Sequence, residues 1–124
     1  MGVFGIFGNA TEVEAKKLAK EFESILAEGE KIERAFKLVR DLFVFTDKRL
    51  VLVDKQGATG KKVEYHSIPY RSISHFSVET AGHFEMDSDL KIWISSHRTP
   101  IERKIKRGAN IIAVQKTLAQ YILK

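Results

Sequence analysis

Leu42-Phe-Val-Phe-Thr46 and Leu50-Val-Leu-Val53 are two β-rich runs around a tight Asp47-Lys48 turn, the pattern of a β-hairpin. Both runs are apolar on alternate faces, so neither face of the hairpin is obviously left to water. Upstream, Ile32, Phe36 and Leu38 alternate with Lys31 and Lys37, which predicts a half-buried strand over about 30–39. Downstream, Gln56-Gly-Ala-Thr-Gly60 reads as a loop. Val63 and Tyr65 open a strand that stops before Pro69, a residue unable to donate to a central ladder. Residues 72–79 form another strand, with Phe76 and Val78 on one face, ending at Ala81-Gly82. Leu90, Ile92 and Ile94 alternate with Lys91, Trp93 and Ser95, the clearest strand in the chain. Ile101 and Ile105 bracket Arg103 in a last, basic strand of about 100–107.

Helices lie at both ends. Thr11 followed three residues later by Glu14 is a capping box, and Val13, Leu18, Phe22, Ile25 and Leu26 make one apolar stripe, so residues 11–28 read as a helix. Gly29 stands where a C-cap would. After the Gly108 break, Asn110 is a good N-cap. Ile111, Val114, Leu118, Tyr121 and Ile122 then recur at helical spacing over 111–123. Seven consecutive strands with helices only at the ends indicate an α+β fold and an antiparallel sheet system, not alternating βαβ units. The expected organisation is one domain over 1–124: an apolar segment and helix (1–29), seven strands (30–107) and a closing helix (110–124).

A chain of 124 residues can bury a single sizeable core. Hydrophobic residues at 44% and charged residues at 30% exclude a disordered or fibrous class, and no apolar run reaches the roughly 20 residues of a membrane span. The chain has no cysteine, which removes disulfides, thiolate nucleophiles and Cys-ligated metals. Its formal charge is +5, and residues 88–107 hold six basic and two acidic side chains. Such a cluster can attract an anionic partner, although solvated lysines and arginines are also ordinary surface. Met1-Gly-Val-Phe-Gly-Ile-Phe-Gly8 has no basic n-region, and Ile6 stands where a myristoylation motif takes Ser or Thr. With three glycines it is a poor lone helix, so Val3, Phe4, Ile6 and Phe7 call for a docking surface.

Catalytic and metal signatures are not found. His66, His75, His83 and His97 have no i, i+4 pair. Gly57-Ala-Thr-Gly-Lys-Lys62 is too short between its glycines for a phosphate loop and has Lys62 where Ser or Thr would hold magnesium. Glu85-Met-Asp87-Ser-Asp89 lacks the EF-hand pattern, and no G-x-S-x-G elbow occurs. No enzyme, metal or cofactor is expected.

Seven antiparallel strands closed by a C-terminal amphipathic helix is the element order of the pleckstrin-homology fold, a bent barrel-like sandwich. Phe45-Thr-Asp-Lys-Arg-Leu-Val-Leu-Val-Asp-Lys-Gln-Gly57, Gly60-Lys-Lys62, Ser67-Ile-Pro-Tyr70, Ser77-Val-Glu-Thr-Ala-Gly82 and Asp89-Leu-Lys-Ile-Trp-Ile94 together resemble the small bacterial pleckstrin-homology-like family, over nearly the whole chain. That resemblance implies a non-catalytic, cytoplasmic domain that builds ring-shaped homo-oligomers. Eukaryotic relatives of the fold hold phosphoinositides on a long first loop. Here Leu38-Val-Arg-Asp41 is short, and Arg34, Lys37 and Arg40 lack a loop to wrap a headgroup. The leading expectation is therefore a homo-oligomeric scaffold or protein-interaction module using Val3, Phe4, Ile6, Phe7 and Trp93. The alternative is a module for anionic lipid or nucleic acid using Lys61, Lys62, Arg98, Arg103, Lys104, Lys106 and Arg107.

Overall fold

Apolar runs on both faces of a hairpin demand cover from two sides, and the chain supplies it. The computed structural model describes residues 6–7, 12–38, 41–56, 61–80, 87–106 and 111–123. Its elements are β1 (Ile6–Phe7), α1 (Glu12–Phe22), β2 (Ile32–Lys37), β3 (Leu42–Thr46), β4 (Arg49–Gln56), β5 (Lys62–Pro69), β6 (Ile73–Glu79), β7 (Ser88–Ile94), β8 (Ile101–Ile105) and α2 (Ile111–Ile122). They form a five-stranded sheet in the order β1-β2-β3-β4-β5 and a three-stranded sheet in the order β6-β7-β8. The seven strands β2 to β8 pair antiparallel within the two sheets, and the sheets do not close into a barrel. The two-residue β1 adds parallel to β2, with Ile6 opposite Arg34 and Phe7 opposite Ala35.

The five-stranded sheet has a core on each face. Phe36, Phe43, Phe45, Leu50, Leu52 and Ile68 face Ile73, Leu90, Ile92 and Ile105 of the second sheet, with Val114 and Leu118 of α2 closing the gap. On the opposite face Ala35, Val44, Val51 and Val53 meet Leu18 and Phe22 of α1. Aromatic packing joins α2 to the first sheet: Tyr121 meets Phe45 of β3 with ring centroids 5.5 Å apart, and it also stacks on Tyr70, in the turn after β5, at 5.1 Å.

Several sequence expectations are corrected. The helix expected over 11–28 ends at Phe22, where the amides of Glu23 and Ile25 bond to carbonyls three residues back and tighten the chain. Gly29 is not the cap of that helix. It occupies the third position of a turn closed by the Glu30 amide on the Ala27 carbonyl, with φ of 81°. The strand expected over 30–39 is shortened to Ile32–Lys37 and is not regular. A bulge between Ile32 and Arg34 turns Ile32 to the α1 side while Phe36 stays between the sheets. The last strand, expected over 100–107, is Ile101–Ile105. Pro69 ends β5 from within, which its place on a sheet edge permits. Thr11, the 57–60 loop, Ala81-Gly82, Gly108 and the Asn110 cap lie outside the described residues.

Two substitutions test this packing by chemical denaturation. Phe45→Ala, at a position with no exposed surface, is expected to cost about 3–5 kcal/mol. Gly29→Ala meets no neighbouring atom within 4 Å, so its loss of about 1 kcal/mol comes from the positive φ alone.

Candidate interaction surface

Charged side chains in this fold divide into those that clasp elements together and those that face outward. Glu30, in the turn after α1, is the most enclosed of the clasping groups, 6% exposed. Arg49 approaches it as a fork, donating from Nε to Oε2 and from Nη2 to Oε1 at 2.9 Å each. The same guanidinium donates to the Ile25 carbonyl and the Ser67 hydroxyl. Thr46 Oγ1 donates to Glu30 Oε2 at 2.6 Å and accepts the amides of Lys48 and Arg49, which shapes the β3–β4 turn. One ion pair therefore joins the α1 turn, the central hairpin and β5. Burial alone would raise the Glu30 carboxyl. The hydrogen bonds from Arg49, Thr46 and the Ala27 amide outweigh it and hold the carboxyl at about 2. A shallow open groove of about 400 Å³ runs beside the clasp, lined by Ile25, Ala27, Lys48, Arg49, Ser67 and Pro69.

A second clasp spans the two sheets. Arg103 of β8 places Nε 2.8 Å from Asp41 Oδ2, and Nη2 lies 4.0 Å from Asp54 of β4. Burial first, and then the neighbouring Asp54 charge, push the Asp41 carboxyl upward against the pull of Arg103.

The outer face of the β6-β7-β8 sheet carries the exposed pattern. His75 of β6 stacks on Trp93 of β7 with ring centroids 4.3 Å apart, and the two residues are directly paired across the strands. Lys104 of β8 pairs with Asp89 of β7 at 2.5 Å, and Lys91 stands opposite Glu102.

The basic residues singled out in the sequence are thus divided. Arg103 points inward to Asp41, while Lys104 is on the opposite side of β8. Lys61, Lys62, Arg98 and Lys106 are exposed at the start of β5, after β7 and after β8, and Arg107 lies outside the described residues. Of the apolar candidates, Ile6 and Phe7 form β1 on the first sheet, whereas Trp93 is on the second, so no single strand or sheet carries both. Val3 and Phe4 lie outside the described residues. Sequence reasoning missed Glu30, Asp41 and Asp54. Only the strand register brings Asp54 toward β8, and a lone acidic residue in a turn gives no signal of its own. Among the described residues no cluster of His, Asp and Glu could hold a metal ion, and no helix is long and apolar enough to cross a membrane.

A family model described as "Bacterial PH domain" matches residues 3–122. An uncharacterized Bacillus subtilis (strain 168) protein, YjqA, is 59% identical over 116 residues, covering 93% of each chain. The crystal structure of a pleckstrin homology domain from Shewanella amazonensis SB2B is 57% identical, with a TM-score of 0.82 and 94% of both chains covered. A DUF1696 family protein with a pleckstrin-homology domain from Shewanella loihica PV-4 is 51% identical, with a TM-score of 0.78, covering 94% of this chain and 99% of that one.

The Glu30 clasp carries a test. Its carboxyl is held at about 2 against an ordinary value of 4.5, so the stabilisation is present above about pH 4.5 and lost as pH falls toward 2. At about 1.4 kcal/mol per unit this amounts to about 3 kcal/mol. Glu30→Gln should lose about that much at pH 7, and urea melts from pH 7 to 2 should show a flatter acid limb than in the parent chain.

Proposed function

Because the chain belongs to the bacterial PH domain family, we propose that it is a non-catalytic, cytoplasmic interaction module that assembles with copies of itself. The observation that carries this reading is the unclosed architecture. The described strands form two separate sheets, and β5, β6 and β8 each have one side without a strand partner. An exposed strand edge presents unpaired N–H and C=O groups to a neighbouring chain, and strand addition answers them. The Trp93–His75 stack on the second sheet offers further contact area, and the pairing of Ile6 and Phe7 with β2 brings the chain's apolar start to the first sheet. Contacts between two different surfaces repeat head to tail and close into a ring when the rotation allows. The engagement of Arg103 with Asp41 and of Lys104 with Asp89 favours this reading over anion binding by the basic segment.

Light scattering on the eluting chain at micromolar concentration should give a mass several times that of one copy. Deleting residues 1–8 should lower that mass. A monomer at every concentration would exclude the self-assembling scaffold.

A further inference from the structure

Among the described residues two large hydrophobic side chains are left exposed, Ile112 at 64% and Leu123 at 63%. Both belong to the C-terminal helix. Ile112 is in the first turn of α2, and the Leu123 amide bonds to the Ala119 carbonyl, which carries the last turn on by one residue. At 100° per residue, Ile112, Ala119 and Leu123 fall within about 40° of one another around the axis and span about 16 Å along it. They lie opposite Val114, Leu118 and Tyr121, which pack against the core between the sheets. Lys116 stands beside this line, flanked by Gln115 and Gln120, and all three are exposed. The helix therefore has a second apolar stripe that faces outward.

Charge around the stripe has one sign. α2 contains no acidic residue, and from Arg103 to Lys124 the chain has six basic side chains and no acidic one. The rest of the chain is close to balance, so this stretch accounts for the formal +5. Arg103 and Lys104 are engaged by Asp41 and Asp89, while Lys106 and Lys116 are exposed.

We propose that the outward stripe of α2 rests on an anionic lipid bilayer, with Ile112 and Leu123 entering the boundary between headgroups and acyl chains and Lys116 meeting acidic headgroups. Two arguments select this occupant. One helix face of this length offers on the order of 200 Å², far below the roughly 800 Å² each partner buries in a stable protein interface. It is also a convex ridge, which a bilayer accommodates because its headgroups part around an apolar line lying in the interface plane. Positive charge then adds to the attraction, since an anionic surface draws in lysines within about a Debye length. None of the seven basic residues singled out in the sequence lies on the stripe. The contact differs from phosphoinositide capture on a long first loop, because it encloses no headgroup and takes any acidic lipid. It uses a surface apart from the open strand edges and does not depend on self-assembly.

The test is flotation of the full chain with vesicles of phosphatidylcholine alone or with about one part in three phosphatidylglycerol. We expect the chain to float with the acidic vesicles at about 0.05 M salt, to remain behind with the neutral ones, and to be released at about 0.5 M. Ile112→Ser combined with Leu123→Ser should weaken binding about tenfold or more, and Lys116→Glu several-fold. All three side chains are exposed, so thermal melts of the variants should match the parent. A parent chain that does not float with acidic vesicles at low salt would overturn the proposal. So would a double variant that binds as well as the parent, since the contact would then lie elsewhere on the basic surface. If the double variant shows a lower mass than the parent by light scattering without lipid, the stripe is a contact between copies and the lipid reading falls.

Discussion

The β3–β4 hairpin has no face to give to water. Phe43, Phe45, Leu50 and Leu52 point one way, Val44, Val51 and Val53 the other, and all seven are at most 1% exposed. Burying a large aliphatic or aromatic side chain is worth about 1.5–3 kcal/mol, so leaving either face wet would cancel the net stability of a domain this size. Placement of the rest follows. α1 covers one side, while the three-stranded sheet and α2 cover the other. The two sheets can stay open because α2 fills the space between them with Val114, Leu118 and Tyr121.

Polar clasps then fix the geometry that apolar contact leaves loose. Hydrophobic burial is not directional, but the forked Glu30–Arg49 pair has one good arrangement, and it holds the α1 turn, the hairpin and β5 in register. The Asp41–Arg103 pair does the same between the first sheet and β8. The two acids respond oppositely to their surroundings. Glu30 is saturated with donors and held low, whereas Asp41 shares its partner with Asp54 and is pushed upward. Inward engagement of Arg103 also leaves the outer face of β8 to Glu102 and Lys104, which makes that edge a charge-patterned surface and not merely a basic one.

Much of the architecture was legible because period-two alternation is strong where one face is apolar. Leu90, Ile92 and Ile94 mark β7 without ambiguity, and the stripe from Ile111 to Ile122 marks α2. Double burial of the hairpin could be read from its uninterrupted apolar runs, although nothing local said which element covered which side. The bulge in β2 was not legible, since Ile32, Phe36 and Leu38 keep an even spacing that a regular strand would also show. The end of α1 was missed for a related reason. Ile25 and Leu26 continue the apolar stripe, yet Arg49 takes the Ile25 carbonyl, a contact made across the fold. The charge clasps join residues up to 62 positions apart, as Asp41 and Arg103 are, and single residues at such separations carry no pattern.

Double cover of the central hairpin is tested most directly by native-state hydrogen exchange. Amides that bond between β3 and β4, over Phe43–Phe45 and Leu50–Val53, should exchange only through global unfolding, with the full denaturant dependence of the equilibrium transition. Exchange of these amides through small local openings, or protection lower than that of β6 to β8, would contradict the hairpin as the doubly buried centre of the fold.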